Sequence, residues 1–357
     1  MTASTSRVID VHTHVIPRRL AESAQAGEGR HGITFGRDPG GKITTTVGGQ
    51  TVALSWPTPL ETPEERVRSM DERGVDVHVL SLSPLVHWYT LEREGAVGLA
   101  RETNDDVAEM VASHPSRFVG LGFLPLQHPA AAIEELRRCV NDLGFAGVMV
   151  GTNIGGLDWD APELFPVLEA ASELKALVFV HPALGRANPF LTKYHLRNLV
   201  GNPLETTIAV ASLIFGGVLD RLPELALCFA HGGGYACLGI GRMDHGSHVR
   251  QEAQDISRLP SDYLRRLYFD SLVHSHLALS HLVEQVGAER VVLGSDYPAD
   301  MGEPFPVEFV ESHPDLTAEQ RRLILGGNLE QLLFGGVTGG RVIGPGAHPP
   351  MTGASQP

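Results

Sequence analysis

Five residues of this chain could together hold a metal ion and move a proton: His12, His14, His181, His231 and Asp296. His12 and His14 stand two apart at the end of a β-branched run, and residues two apart on an extended chain point the same way. Two imidazoles on one face, joined by His181 and the carboxylate of Asp296, make a nitrogen and oxygen site. Such a set suits one divalent cation, Zn²⁺ first, with Mn²⁺ or Fe²⁺ as alternatives. A lone His-x-His is a weak signal. It gains weight because His181 and Asp296 also stand at the ends of apolar runs, 176–180 and 291–294. His231 sits in Ala230-His231-Gly232-Gly233-Gly234, where the glycines permit a tight turn and a close ligand approach. It reads as the acid or base beside the metal, exchanging a proton near neutral pH.

These residues need a frame that brings them together. Eight short apolar runs recur at 8–11, 75–80, 118–123, 147–150, 176–180, 226–230, 267–270 and 291–294. Their near-continuous apolar character is that of parallel strands covered on both faces. Helical patterns alternate with them at 63–73, 95–112, 129–143, 161–174, 205–220, 277–286 and 317–333, with one more after Gly234. Thr62 caps the first of these, Pro63 opens it and Gly74 ends it. The alternation predicts an α/β protein, a (β/α)8 TIM barrel. A doubly wound open sheet is the competing fold, and no GxGxxG follows the first strand. Barrel active sites lie at the C-terminal mouth, where all five candidate residues would meet. Residues 1–335 are expected to form one domain. Residues 18–60 would be an insertion with β-like runs at 43–47 and 51–54, and 336–357 a loose Gly/Pro-rich tail.

The other histidines carry plainer expectations. His78 is mid-strand and structural. His114, His128, His195, His245, His248, His281, His313 and His348 are expected on loops or helix surfaces. His87 and His274 follow strands and pack or face solvent. Asp10 is expected on the face opposite the histidine pair, supporting the first strand, and Asp270 and Ser271 stand near the mouth. The lysines are Lys42, Lys175 and Lys193, none of them at a strand end where it could bridge a second metal. The site is therefore expected to hold one ion.

Composition narrows the partners. With 28 basic and 42 acidic side chains the net charge is −14, which disfavours nucleic acid and anionic membranes. The longest apolar stretch, 208–219, falls short of the ~20 residues that span a bilayer. Cys139, Cys228 and Cys237 form no CxxC, and the start of the chain carries no apolar signal segment. A cytoplasmic protein acting on a small molecule is expected.

The motifs Ile9-Asp10-Val11-His12-Thr13-His14, Val180-His181-Pro182, Phe229-Ala230-His231-Gly232-Gly233-Gly234 and Leu293-Gly294-Ser295-Asp296-Tyr297-Pro298 resemble the amidohydrolase superfamily. The branch is that of 2-amino-3-carboxymuconate semialdehyde decarboxylase (ACMSD), γ-resorcylate decarboxylase and 5-carboxyvanillate decarboxylase. The similarity runs over about residues 7–335. It implies His12, His14, His181 and Asp296 as metal ligands, His231 with Asp296 in catalysis, and a homodimer. It further implies substrate contacts at Trp56, Tyr194, Tyr297 and Arg242, the last reaching a neighbouring subunit's site. The sequence departs from the pattern where substrate would lie: the stretch before Trp56 has no arginine, and Ala299 replaces an aromatic. The activity implied is metal-dependent, non-oxidative decarboxylation of an aromatic or unsaturated carboxylic acid. In one route His231 activates a water on the metal. In the other the substrate binds the metal, and Asp296 or His231 protonates the carbon. The alternative is a hydrolase or hydratase acting on an ester, lactone or C=C with the same residues.

Overall fold

The computed structural model describes residues 7–53, 61–183, 186 and 188–335. The expected tail at 336–357 and Trp56 lie outside the described residues. The chain begins with β1 (Ile9–Val15), followed by the inserted unit. That unit is α1 (Arg18–Ala26) and the antiparallel strands β2 (Thr34–Arg37), β3 (Ile43–Val47) and β4 (Gln50–Ala53). The other barrel strands are β5 (Val77–Leu82), β6 (Phe118–Gly122), β7 (Gly147–Gly151), β8 (Leu177–His181), β9 (Leu227–Phe229), β10 (Tyr268–Asp270) and β11 (Val291–Val292). Each pairs in parallel with the next, in the order β1-β5-β6-β7-β8-β9-β10-β11. This is a (β/α)8 TIM barrel.

The helices in chain order after α1 are α2 (Pro63–Arg73), α3 (Arg93–Ser113), α4 (Pro129–Asn141), α5 (Phe165–Glu173), α6 (Asn202–Phe215), α7 (Val218–Arg221) and α8 (Ala236–Val249). They continue with α9 (Pro260–Leu264), α10 (His276–Val286), α11 (Pro306–Glu311), α12 (Ala318–Arg322) and α13 (Asn328–Phe334). Helix α2 forms where expected. Thr62 and Glu65 make a reciprocal capping box, and Gly74 ends the helix at φ 72°. The single helix expected at 205–220 is divided at Gly216-Gly217, where Gly217 takes φ 67°. The one expected at 317–333 is interrupted by a π-turn at Leu323–Gly327. Helix α1 was not anticipated within the insertion.

Two features of β1 determine what reaches the mouth. Its register against β5 shifts between Asp10 and Thr13, so Val11 and His12 together oppose Val79. Strict alternation would place Asp10 on the same face as His12 and His14. The extra residue separates them. His12 and His14 now face the interior with Ile9 and Val11, while Asp10 pairs with His78 on the outer side. The second feature is closure. After the short β11, residues 293–297 run along β1: Val11 N–H donates to Leu293 O at 3.0 Å, Asp296 N–H to His12 O at 2.8 Å and His14 N–H to Tyr297 O at 2.7 Å. The last strand thereby carries Asp296 directly onto the histidine pair of the first.

Inside the barrel Val77, Val79, Leu121, Met149, Phe179 and Val292 fill the space beneath the mouth. Phe179 lies 5.2 Å from His12, ring to ring, and forms the site's apolar floor. A larger apolar layer packs the outer strand faces against the helices.

Candidate metal centre

Four imidazoles crowd the C-terminal mouth. His12 lies 5.1 Å from His14, 4.8 Å from His181 and 5.2 Å from His231, centroid to centroid. Three of the rings are pinned through Nδ1: His12 to Asp270 Oδ2 at 2.6 Å, His14 to Ser81 Oγ at 3.1 Å and His181 to the Pro182 carbonyl at 2.7 Å. Their Nε2 atoms are buried and have no hydrogen-bond partner. Buried polar atoms left unpaired are costly, and three aimed at one point fit a cation. Asp296 completes the set, with Oδ1 3.3 Å from His12 Nε2 and 3.1 Å from His14 Nε2. His231 Nε2 is 3.9 Å from Asp296 Oδ2. Donor atoms of His12, His181, His231 and Asp296 all fall within 4.8 Å of one another, so geometry alone admits His231 as well as His14 to the group. The donor set of imidazole nitrogens and one carboxylate fits a divalent metal.

Electrostatics agree. Burial lowers the His12 pKa, but the close Asp296 charge and the hydrogen bond to Asp270 outweigh it and push it up to about 10. Burial pushes His181 well below the usual imidazole range, and His14 also falls. Burial would raise Asp296, yet the charge on His12 and the close imidazoles around it hold it well below the usual carboxylate range. The site is thus an ionised carboxylate beside His12, and a bound cation would displace the proton that His12 holds.

The backbone bends sharply at His231 and Asp296, the two residues expected to act in catalysis. His231 has φ 56° and Asp296 φ 61°, both in the left-handed region. After His231 the three glycines also take positive φ, and a Cβ on Gly234 would sit 2.0 Å from the Pro203 carbonyl oxygen. The turn exists because those positions carry no side chain.

Asp270 ties the strands of the site together. Besides His12 it accepts from Gly232 N–H at 2.8 Å and Leu272 N–H at 3.2 Å. It therefore fixes both a ring that faces the metal and the turn that carries His231. Asp270→Asn is expected to weaken metal affinity about 10–100-fold, the usual cost of losing such an outer partner. Competitive chelator titration of the variant checks this. Asp10 does for the backbone what Asp270 does for a ring: it is fully buried and accepts from His12 N–H at 3.0 Å, Ser295 N–H at 3.1 Å and the Ser295 hydroxyl.

Above the metal centre lies a cavity of about 990 Å³, bounded by His14, His181, His231 and Asp296 on the inner side. The inserted sheet supplies Arg37, Lys42 and Ile43, and the loop after β8 supplies His195, Arg197, Asn198 and Asn202. Tyr194, Tyr297 and Arg242, expected to touch substrate, are not among the residues that line the cavity. Tyr194 is 82% exposed and outside the lining. The Tyr297 hydroxyl donates to Glu61, and its ring lies between the Arg66 and Arg73 guanidiniums. Arg242 is exposed on α8, away from this cavity. Sequence reasoning did not single out Glu61 and Arg66, which line the cavity beside Asp296. Arg66 is buried and donates to Glu61 and to the His14 carbonyl. Its signal was an arginine on the inward side of the well-capped helix α2. One surface expectation changes: His313 is fully buried between His276 and Ser280, while His195, exposed on its loop as expected, also borders the cavity.

Comparison with known proteins points the same way. The family described as Amidohydrolase matches residues 9–334. The chain is 36% identical over 331 residues to 2-amino-3-carboxymuconate-6-semialdehyde decarboxylase of Dictyostelium discoideum, covering 91% of each chain. It superposes on the crystal structure of 5-carboxyvanillate decarboxylase from Sphingomonas paucimobilis with a TM-score of 0.77 and 25% identity, covering 92% of this chain and 99% of that one. A dihydroxybenzoic acid decarboxylase from Polaromonas sp. JS666, solved with bound manganese and 2-nitroresorcinol, shares the fold. Its TM-score is 0.69 at 23% identity, over 92% and 97% of the two chains.

Proposed function

The chain belongs to the amidohydrolase family, and on that premise we propose that it is a metal-dependent, non-oxidative decarboxylase of an aromatic or unsaturated carboxylic acid. The observation that carries the reading is the convergence of three buried, unpartnered Nε2 atoms and Asp296 at the base of a substrate-sized cavity. His12, His14, His181 and Asp296 would hold one divalent ion, Zn²⁺ or Mn²⁺. The nitrogen-rich donor set suits zinc, and the Polaromonas enzyme holds manganese. Such an ion supplies Lewis acidity to the substrate oxygens beside the bond that breaks.

The chain's own residues do the rest. Phe179 and the buried rings keep the floor dry and aligned. As the carbon–carbon bond breaks, its electron pair stays on the substrate carbon and the carboxyl group departs as CO₂. A proton from His231 or Asp296 then occupies the vacated position. His231 faces both the cavity and Asp296, which suits it to this transfer.

We take residues 1–335 to be one functional unit and the assembly to be a homodimer. Exposed Leu238 on α8 and Leu277 on α10, helices that touch each other, support that surface, and Arg242 lies on the same α8. No helix among the described residues is long and apolar enough to cross a membrane. Cys139, Cys228 and Cys237 are free and buried, which supports a cytoplasmic site of action. The test is CO₂ release by Zn²⁺- or Mn²⁺-loaded protein from carboxylated aromatic and muconate acids. Opening of lactones or esters with no CO₂ from any acid would assign the chain to hydrolysis instead.

A further inference from the structure

The barrel closes with few bonds where its last strand meets its first. Strand β11 has two residues, and closure against β1 continues through the N–H groups of Val11, Asp296 and His14. The last of these donates to the Tyr297 carbonyl at 2.7 Å. The proposed metal set straddles this seam. His12 and His14 stand on one side, and Asp296 on the other places Oδ1 3.1 Å from His14 Nε2. Asp296 also holds a left-handed backbone at φ 61°, a conformation that persists only where its surroundings over-determine it.

Side chains fasten the seam where those backbone bonds stop. Arg66, on α2, donates through Nη2 to the His14 carbonyl and through Nε to Glu61 Oε2 at 3.1 Å. Glu61 Oε1 accepts from the Tyr297 hydroxyl, and the Tyr297 carbonyl takes the His14 N–H. The contacts close a ring that runs from His14 to Tyr297, Glu61, Arg66 and back to His14. The Arg66 guanidinium also lies over the Tyr297 ring, 4.8 Å from its centroid.

Stability alone does not account for an arginine at this place. Arg66 is 2% exposed, and its Nη1 is buried with no hydrogen-bond partner among the described residues. A buried donor left unpaired is costly, and an apolar side chain in place of a buried ion pair is often neutral or stabilising. What the arginine adds is geometry. Its planar fork reaches two acceptors at fixed angles, one on β1 and one tied to Tyr297.

We propose that Arg66 is a positioning residue of the metal centre, which with Glu61 and Tyr297 holds the seam closed so that Asp296 stands against the β1 histidines. It acts through the His14 backbone and through Tyr297, the chain neighbour of Asp296. The proposal rests on the metal reading above for the ligands and is independent of the reaction they serve.

The test reads metal before turnover. Metal-free protein is titrated with Co²⁺, whose visible absorption reports affinity and ligand geometry, and is melted without metal to read the fold alone. Arg66→Met is expected to keep the metal-free melting midpoint, to bind Co²⁺ about tenfold more weakly and to show an altered absorption band. Arg66→Lys should recover part of the affinity, since an ammonium lacks the fork that spans both acceptors. Tyr297→Phe loosens the same ring by one bond and should weaken binding in the same direction. Combined with Arg66→Met it should add less than its own single loss, because both changes break one ring. Co²⁺ bound as tightly and with the same band in both variants, or losses that simply multiply, would overturn the proposal. If Arg66→Met does not fold, Tyr297→Phe decides: weaker binding with an altered band supports the ring, and wild-type binding sinks it. CO₂ release is assayed afterwards. Turnover of no acid by metal-loaded wild type sinks the decarboxylase reading alone, whereas wild-type turnover with unchanged metal binding in both variants sinks the positioning role alone.

Discussion

His181→Ala is expected to purify with its metal reduced to a trace and to lose activity with it. The ring it removes is the proposed ligand from the far side of the barrel, at the end of β8. Its Nδ1 is pinned to the Pro182 carbonyl, so Nε2 is presented without any search of rotamers. What remains is the pair from β1 and the carboxylate opposite them, which all lie on two neighbouring strands. The loss in affinity should exceed the roughly 100-fold upper end seen for outer partners, since a direct donor is deleted. Elemental analysis of the purified variant, with CO₂ release beside it, measures both effects. Wild-type metal content in His181→Ala would remove the basis of the site.

His231→Asn is expected to keep its metal and lower kcat by about 10²–10⁴, the range for a positioned acid or base. Asparagine is the informative replacement because it tolerates the left-handed backbone that His231 adopts at φ 56°. The turn and its three glycines should therefore survive, and only proton exchange is removed. The variant also decides between two arrangements that geometry permits. A ring nitrogen of His231 lies in the cluster with His12, His181 and Asp296, while His14 Nε2 is 3.1 Å from Asp296. Metal loss in His231→Asn equal to that in His181→Ala would make His231 a ligand and pass proton transfer to another residue.

The cluster at the barrel mouth was legible in the sequence because its residues follow apolar runs. His12, His14, His181, His231 and Asp296 each terminate an apolar run, and a closed barrel leaves such positions little choice but to converge. The strand runs were readable for the same reason: β8 reads Leu-Val-Phe-Val-His, buried throughout. The bulge in β1 was not foreseeable from alternation, although the separation of Asp10 from the histidines depends on it. The cavity wall after β8 was the least legible part. Left-handed residues at 194 and 195 and the π-turn after them break every local periodicity. An aromatic read as a substrate contact consequently faces solvent, and its polar neighbours face the cavity. Helix α1 was missed for a simpler reason. The glycines that follow it, beginning with Gly27 at φ 70°, drew attention to turns rather than to the nine residues before them.

Closure of the barrel has a consequence for how the protein is made. Chains leave the ribosome from the N-terminus, so His12 and His14 emerge long before Asp296, which lies in the last fifth of the sequence. The carboxylate reaches them only when residues 293–297 settle along β1. A nascent or truncated chain thus exposes histidines without the oxygen donor that makes them a site. A chain cut before residue 293 is therefore expected to bind the ion more weakly than the full chain.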